Sequence, residues 1–104
     1  MKAAAYTQAF GLDVAHREAL QAAAVTAARR VFSDSPGIDR VEVYIARETQ
    51  SGQERWKVVV DLVRSKEQGV LRGTAWSRRP HLAIEDACLA AWEALRASNV
   101  HAAA

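Results

Sequence analysis

The side chains of this sequence that could carry catalysis or hold a metal are few and far apart. His16, His81 and His101 fall one to a segment, with no ligand spacing between them and no cysteine or carboxylate cluster beside them. They read as solvated or capping histidines. Cys88 is the single cysteine, so it has neither a disulfide partner nor a second thiol for a metal, and on an apolar helical stripe it reads as a small hydrophobe. Glu85 and Asp86 are adjacent, which on a helix turns them about 100° apart and argues against a catalytic pair. They read instead as complementing a helix N-terminus. Gly69 and Gly73 are isolated and form no phosphate-binding loop; they read as a turn and a close-packing position in a strand. The sequence therefore predicts no enzyme, cofactor, metal or small-molecule substrate.

Arginines are the other chemistry on offer. The net charge is only +2, yet residues 47–79 hold eight basic residues (Arg47, Arg55, Lys57, Arg64, Lys66, Arg72, Arg78 and Arg79) against Glu48, Glu54, Asp61 and Glu67. After Pro80 the sign reverses, with Arg96 alone against Glu85, Asp86 and Glu93. Arg78 and Arg79 directly precede Pro80, a residue suited to the first turn of a helix, so they sit where unpaired backbone N–H groups already attract anions. Arg47 and Arg72, with Arg29 and Arg30 from an earlier helix, complete the candidate anion-binding set.

These residues must be positioned by a small set of elements. The stretch from Asp39 to Ser77 predicts a three-stranded antiparallel meander. Val41, Val43 and Ile45 alternate with Arg40, Glu42 and Tyr44; Trp56, Val58, Val60 and Leu62 take the inward parity of the second strand; Val70 to Ser77 is the third. The turns at Ser51-Gly52 and Gln68-Gly69 read as loops rather than tight two-residue connections. Ahead of the meander, Ala3 to Phe10 could form a short strand. Asp13 then suits an N-cap for a helix with Leu20, Ala24, Ala28 and Val31 at helical spacing, ending near Phe32 before Ser33-Asp34-Ser35-Pro36-Gly37. A second helix follows Pro80, with Ile84, Ala87, Cys88, Ala91 and Leu95 inward and Trp92 at their flank. Ser98-Asn99 is read as its end, with residues 98–104 a frayed tail.

The fold class is α+β, a mainly antiparallel sheet with two helices on one face, in a single domain of residues 1–104. Every helical stretch is interrupted by charge, so no membrane span is expected, and the N-terminus lacks a signal-peptide pattern; the expected location is cytoplasmic. The uncovered sheet face should carry Tyr44, Val59, Val63, Val70 and Trp76 among Lys57, Asp61 and Arg72. An apolar patch of this kind suits a protein partner or a homodimer, with Tyr44, Val59, Val63 and Trp76 at the contact.

Several segments together resemble the ribosome hibernation-promoting factor family, also called ribosome-associated inhibitor A. They are Val31-Phe32-Ser33-Asp34, Ile38-Asp39-Arg40-Val41-Glu42-Val43-Tyr44-Ile45, Trp56 to Leu62, and Ala83-Ile84-Glu85-Asp86-Ala87. The resemblance implies a β-α-β-β-β-α domain, which makes Ala3 to Phe10 a strand. It also implies binding to the small ribosomal subunit and its RNA in the mRNA and tRNA channel, silencing translation under stress. The helix–three strands–helix layout is similar to double-stranded RNA-binding domains, where a basic loop before the last helix meets phosphates; Ser77-Arg78-Arg79 holds that place. Family members carry basic residues along the last helix, whereas this chain has Ala90, Ala91, Ala94, Leu95 and Ala97 there, with Arg96 basic.

Overall fold

The computed structural model describes residues 1–103, with side chains described through Asn99. The order is β1 (Lys2–Gln8), α1 (Val14–Phe32), β2 (Ile38–Gln50), β3 (Gln53–Arg64), β4 (Val70–Ser77) and α2 (Pro80–Ala103). One four-stranded sheet runs β1-β2-β3-β4. β1 pairs parallel to β2, from Lys2 opposite Arg40 to Gln8 opposite Ala46, whereas β2–β3 and β3–β4 are antiparallel. The strand expected over Ala3 to Phe10 thus exists, as an edge strand joined to β2 through α1.

Alternation decides which side of the sheet is covered. Val41, Val43, Ile45, Trp56, Val58, Val60 and Leu62 are all buried. They meet Leu20, Ala24, Ala27, Ala28 and Phe32 of α1 and Ala83, Ile84, Ala87, Cys88, Ala91 and Leu95 of α2 in a single core. Val31, expected on the buried stripe, is only half-buried; Phe32 takes the seam position because the stripe drifts by one residue toward the end of the helix.

Gly73 sets how closely α2 lies on β4. A Cβ there would stand 2.6 Å from the Ala87 carbonyl oxygen and 2.7 Å from Ala91 Cα. With Ala87 and Ala91 facing it, helix backbone rests almost directly on strand backbone.

Three expectations are corrected. Gln50 pairs with Gln53, so Ser51-Gly52 is a tight two-residue turn. With φ of 54° and 77°, both residues are left-handed, the geometry of a type I′ hairpin. The second connection, residues 65–69, is a true loop. Helix α2 runs through Ser98-Asn99 to Ala103, because neither residue stops a helix without a following left-handed cap. Finally, Glu85 and Asp86 lie beyond the first turn of α2, past the reach of its N-terminal partial charge.

Candidate nucleic-acid interface

The topology gathers several chain ends at one end of the domain. β1, β2 and β4 point the same way, so the starts of α1 and α2, the β2–β3 hairpin and the loop before α2 lie together there. Both helices present their N-termini at this end, where unpaired N–H groups favour negative charge.

Each candidate arginine now has a place. Arg78 donates to Gln53 Oε1 on the hairpin at 2.7 Å. The Arg79 N–H donates to Ser77 Oγ at 3.1 Å, and its carbonyl accepts from Ala83 N, which opens α2. Arg47, on the last part of β2, donates to the Phe10 carbonyl and lies 5.8 Å from the Trp56 ring centre. These three share the helix N-terminal end. Arg29 and Arg30 occupy the last turn of α1 at the opposite end, where a cation complements the helix C-terminus whatever else it does. Arg72 lies on the open face of the edge strand β4, its Nε and Nη2 donating to the two oxygens of Asp61 at 2.7 and 3.0 Å. The six therefore do not form one strip.

Asp61 lies among the charges of the open face as expected, but it is only 7% exposed. The two-pronged pairing with Arg72 covers it, and a carboxylate so covered has to be paired.

Of the open-face residues, Tyr44 and Trp76 are exposed, while Val59 and Val63 are half-buried between their neighbours. Register brings Tyr6, Tyr44, Val59 and Thr74 into one row across all four strands, with Gln8, Ala46, Lys57 and Trp76 in the next. The Tyr6 and Tyr44 rings stack with centres 5.3 Å apart, and Lys57 Nζ is 5.7 Å from the Trp76 ring centre. Tyr44 donates to Glu42 at 2.5 Å, and that bond, with burial second, pushes its hydroxyl up to about 12.

Sequence reasoning overlooked some of these residues. Arg55 and Lys57, counted in the basic excess but left out of the anion-binding set, join Glu48, Thr49, Gln50 and Trp76 in an open recess beside the hairpin. Tyr6 was missed because β1 is legible only once β2 offers it a partner. Arg17 was missed because helix periodicity alone makes it an ordinary surface cation.

The remaining chemistry is sparse. Asp13 caps α1 by accepting from His16 N at 2.8 Å, and its other oxygen meets His16 Nδ1 at 2.7 Å. The backbone N–H bond, then the ring contact, holds the Asp13 carboxyl below its ordinary value. Cys88 is buried, and burial pushes its thiol up to about 11. His81 is exposed near Arg30 and Glu85 in a shallow recess between the helices, and the His101 side chain lies outside the described residues. Among the described residues, no three histidine, cysteine or carboxylate groups gather as metal ligands, and no helix is long and apolar enough to cross a membrane.

No protein-family model and no curated protein matches the chain. A solved structure does: the Thermus thermophilus Protein Y N-terminal domain, at 16% identity and a TM-score of 0.55, covers 92% of this chain and 98% of its own. The chain shares the fold of that Protein Y domain. The resemblance to the hibernation-promoting factor family read from Val31–Asp34, Ile38–Ile45, Trp56–Leu62 and Ala83–Ala87 and the likeness of the whole backbone to the Protein Y domain lead to one fold.

Proposed function

We propose that this chain is a non-catalytic, ribosome-associated protein of the cytoplasm that binds RNA of the small ribosomal subunit and damps translation under stress. The observation that carries the reading is the near-complete overlap with the Protein Y N-terminal domain, 92% of one chain and 98% of the other. The contact is assigned to the helix N-terminal end, through Arg47, Arg78 and Arg79. Helix α2 is a poor phosphate surface, since Glu85, Asp86 and Glu93 outnumber Arg96. Stationary-phase lysate run on a sucrose gradient tests this: the protein should travel with the small subunit at low salt and leave it as salt rises, and replacing Arg78 and Arg79 by Glu should abolish the association. A protein that stays at the top of the gradient at low salt ends the proposal.

The stacked Tyr6–Tyr44 pair, exposed on the same sheet face as Trp76, favours a second reading: a homodimer or protein contact through the open face that includes Tyr44, Val59, Val63 and Trp76. Light scattering decides it, because a monomer that Trp76→Glu leaves unchanged removes the homodimer.

A further inference from the structure

At the helix N-terminal end, an open recess of about 370 Å³ is lined by Thr7, Gln8, Ala9, Phe10, Arg17 and Arg47. Its construction is traceable in the chain. Leu12 N donates to the Ala9 carbonyl at 3.1 Å, closing a turn over Ala9-Phe10-Gly11-Leu12. Gly11 takes φ of 81°, which the third position of a type II turn requires and glycine supplies at no cost. The turn lays Gly11 against Arg47, whose Nη2 would be 3.7 Å from a Cβ there. It also thrusts Phe10 outward, its side chain fully exposed at 100%.

Behind the wall of the recess two polar atoms have no partner. Thr7 Oγ1 and Arg17 Nε are buried and lack a hydrogen-bond partner among the described residues. Leaving such a group unpaired costs free energy, which turning either side chain out into the recess to meet a ligand would recover. Arg47 spends one Nη2 hydrogen on the Phe10 carbonyl and keeps other donors. The nearby carboxylate of Asp13 is already occupied by His16. Two guanidiniums and a hydroxyl with spare donors describe an anion site, and planar guanidinium forks match phosphate oxygens in particular. An exposed aromatic ring at the rim adds a surface on which a base can stack.

We infer that this recess holds a backbone phosphate of single-stranded RNA, gripped by Arg17, Arg47 and Thr7, with the adjoining base laid on Phe10. The inference rests on the ribosome-associated reading for its choice of RNA and extends it with a contact that neither the fold likeness nor the arginines before α2 supply.

The test is fluorescence anisotropy of a short labelled oligouridylate against the whole chain, across a salt series. Arg17→Gln should weaken binding about tenfold and lower the salt slope by about one. Phe10→Ala, at a side chain that touches no core, should weaken it at least about fivefold. Lys66→Gln, in the loop at the other end, should change neither. If Arg17→Gln and Phe10→Ala bind the oligonucleotide like wild type while wild type still travels with the small subunit, the recess is wrong and the functional reading stands. If the losses appear but wild type does not travel with the subunit, the recess stands and the reading falls. Equal losses from Arg17→Gln and Lys66→Gln would mean diffuse charge and overturn the site. So would displacement of the oligonucleotide by equimolar inorganic phosphate with Phe10→Ala silent, which would make the ligand free phosphate.

Discussion

Replacing Gly73 by alanine is the sharpest test of how α2 sits on the sheet. The added Cβ would lie 2.6 Å from the Ala87 carbonyl oxygen, where ordinary contact starts at 3.4 Å, so the helix must retreat by 0.8 Å or more. Because the obstructing atoms are backbone, no side-chain rotation relieves the clash. A gap of that order forfeits roughly a quarter to a half of each dispersion contact it opens, and Ala87 and Ala91 lie in the contact at 0% exposure. Overpacking costs about 1–3 kcal/mol, and a clash of backbone on backbone belongs at the upper end. Alanine recovers roughly 0.4–1 kcal/mol by restricting the unfolded chain. The net loss is about 2 kcal/mol. For a domain of this length that lowers Tm by about 8–16 °C. Thermal melts followed by circular dichroism measure it, and a variant melting within about 2 °C of wild type would refute the close helix–strand packing. Gly37→Ala is a useful companion: its φ is 83° but nothing lies within 4 Å of the added Cβ, so it reports backbone strain alone, at about 1 kcal/mol.

Two further outcomes are expected. Ser51→Asn places the preferred Asn-Gly pair in a turn whose residues are both left-handed, and should stabilise the protein by about 0.5 kcal/mol in urea unfolding; a loss would show that the turn is not type I′. Burial keeps the Cys88 thiol protonated in the folded state to about pH 11, from an ordinary value of 9.0. The unfolded chain therefore releases this proton first, and stability present below pH 9 should fall as pH rises toward 11. The urea midpoint should drop over that window more in wild type than in Cys88→Ala, and parallel drops would refute it.

The meander was legible because Val41-Val43-Ile45 and Trp56-Val58-Val60-Leu62 carry strict two-residue alternation over a buried face, a signal that needs no knowledge of the rest of the fold. The hairpin between them was not, since Ser51 is an uncommon residue for a left-handed position and only the pairing of Gln50 with Gln53 reveals the turn. Lys2–Gln8 reads poorly alone: three alanines have little strand preference, and its partner lies beyond a whole helix. The candidate site was legible in residue type and not in place. Eight basic residues within 47–79 announce anion binding, but strand direction decides that Arg47, Arg78 and Arg79 share an end while Arg29 and Arg30 stand at the other. Arg17 and Thr7 carried no signal at all, because what distinguishes them is an unpaired buried atom behind the wall of a recess made by a turn.

The parallel pairing of β1 also bears on the order in which the domain assembles. β2, β3 and β4 are neighbours in sequence and can zip together through short connections, whereas Lys2 finds Arg40 only after the intervening chain is closed into a loop, at an entropic cost that grows with its length. Until that closure the outer edge of β2 offers a row of unpaired N–H and C=O groups beside Val41, Val43 and Ile45, a template for another chain. The N-terminal strand thus serves as an edge guard, and a chain trimmed of its first eight residues should aggregate more readily than the full chain in light scattering.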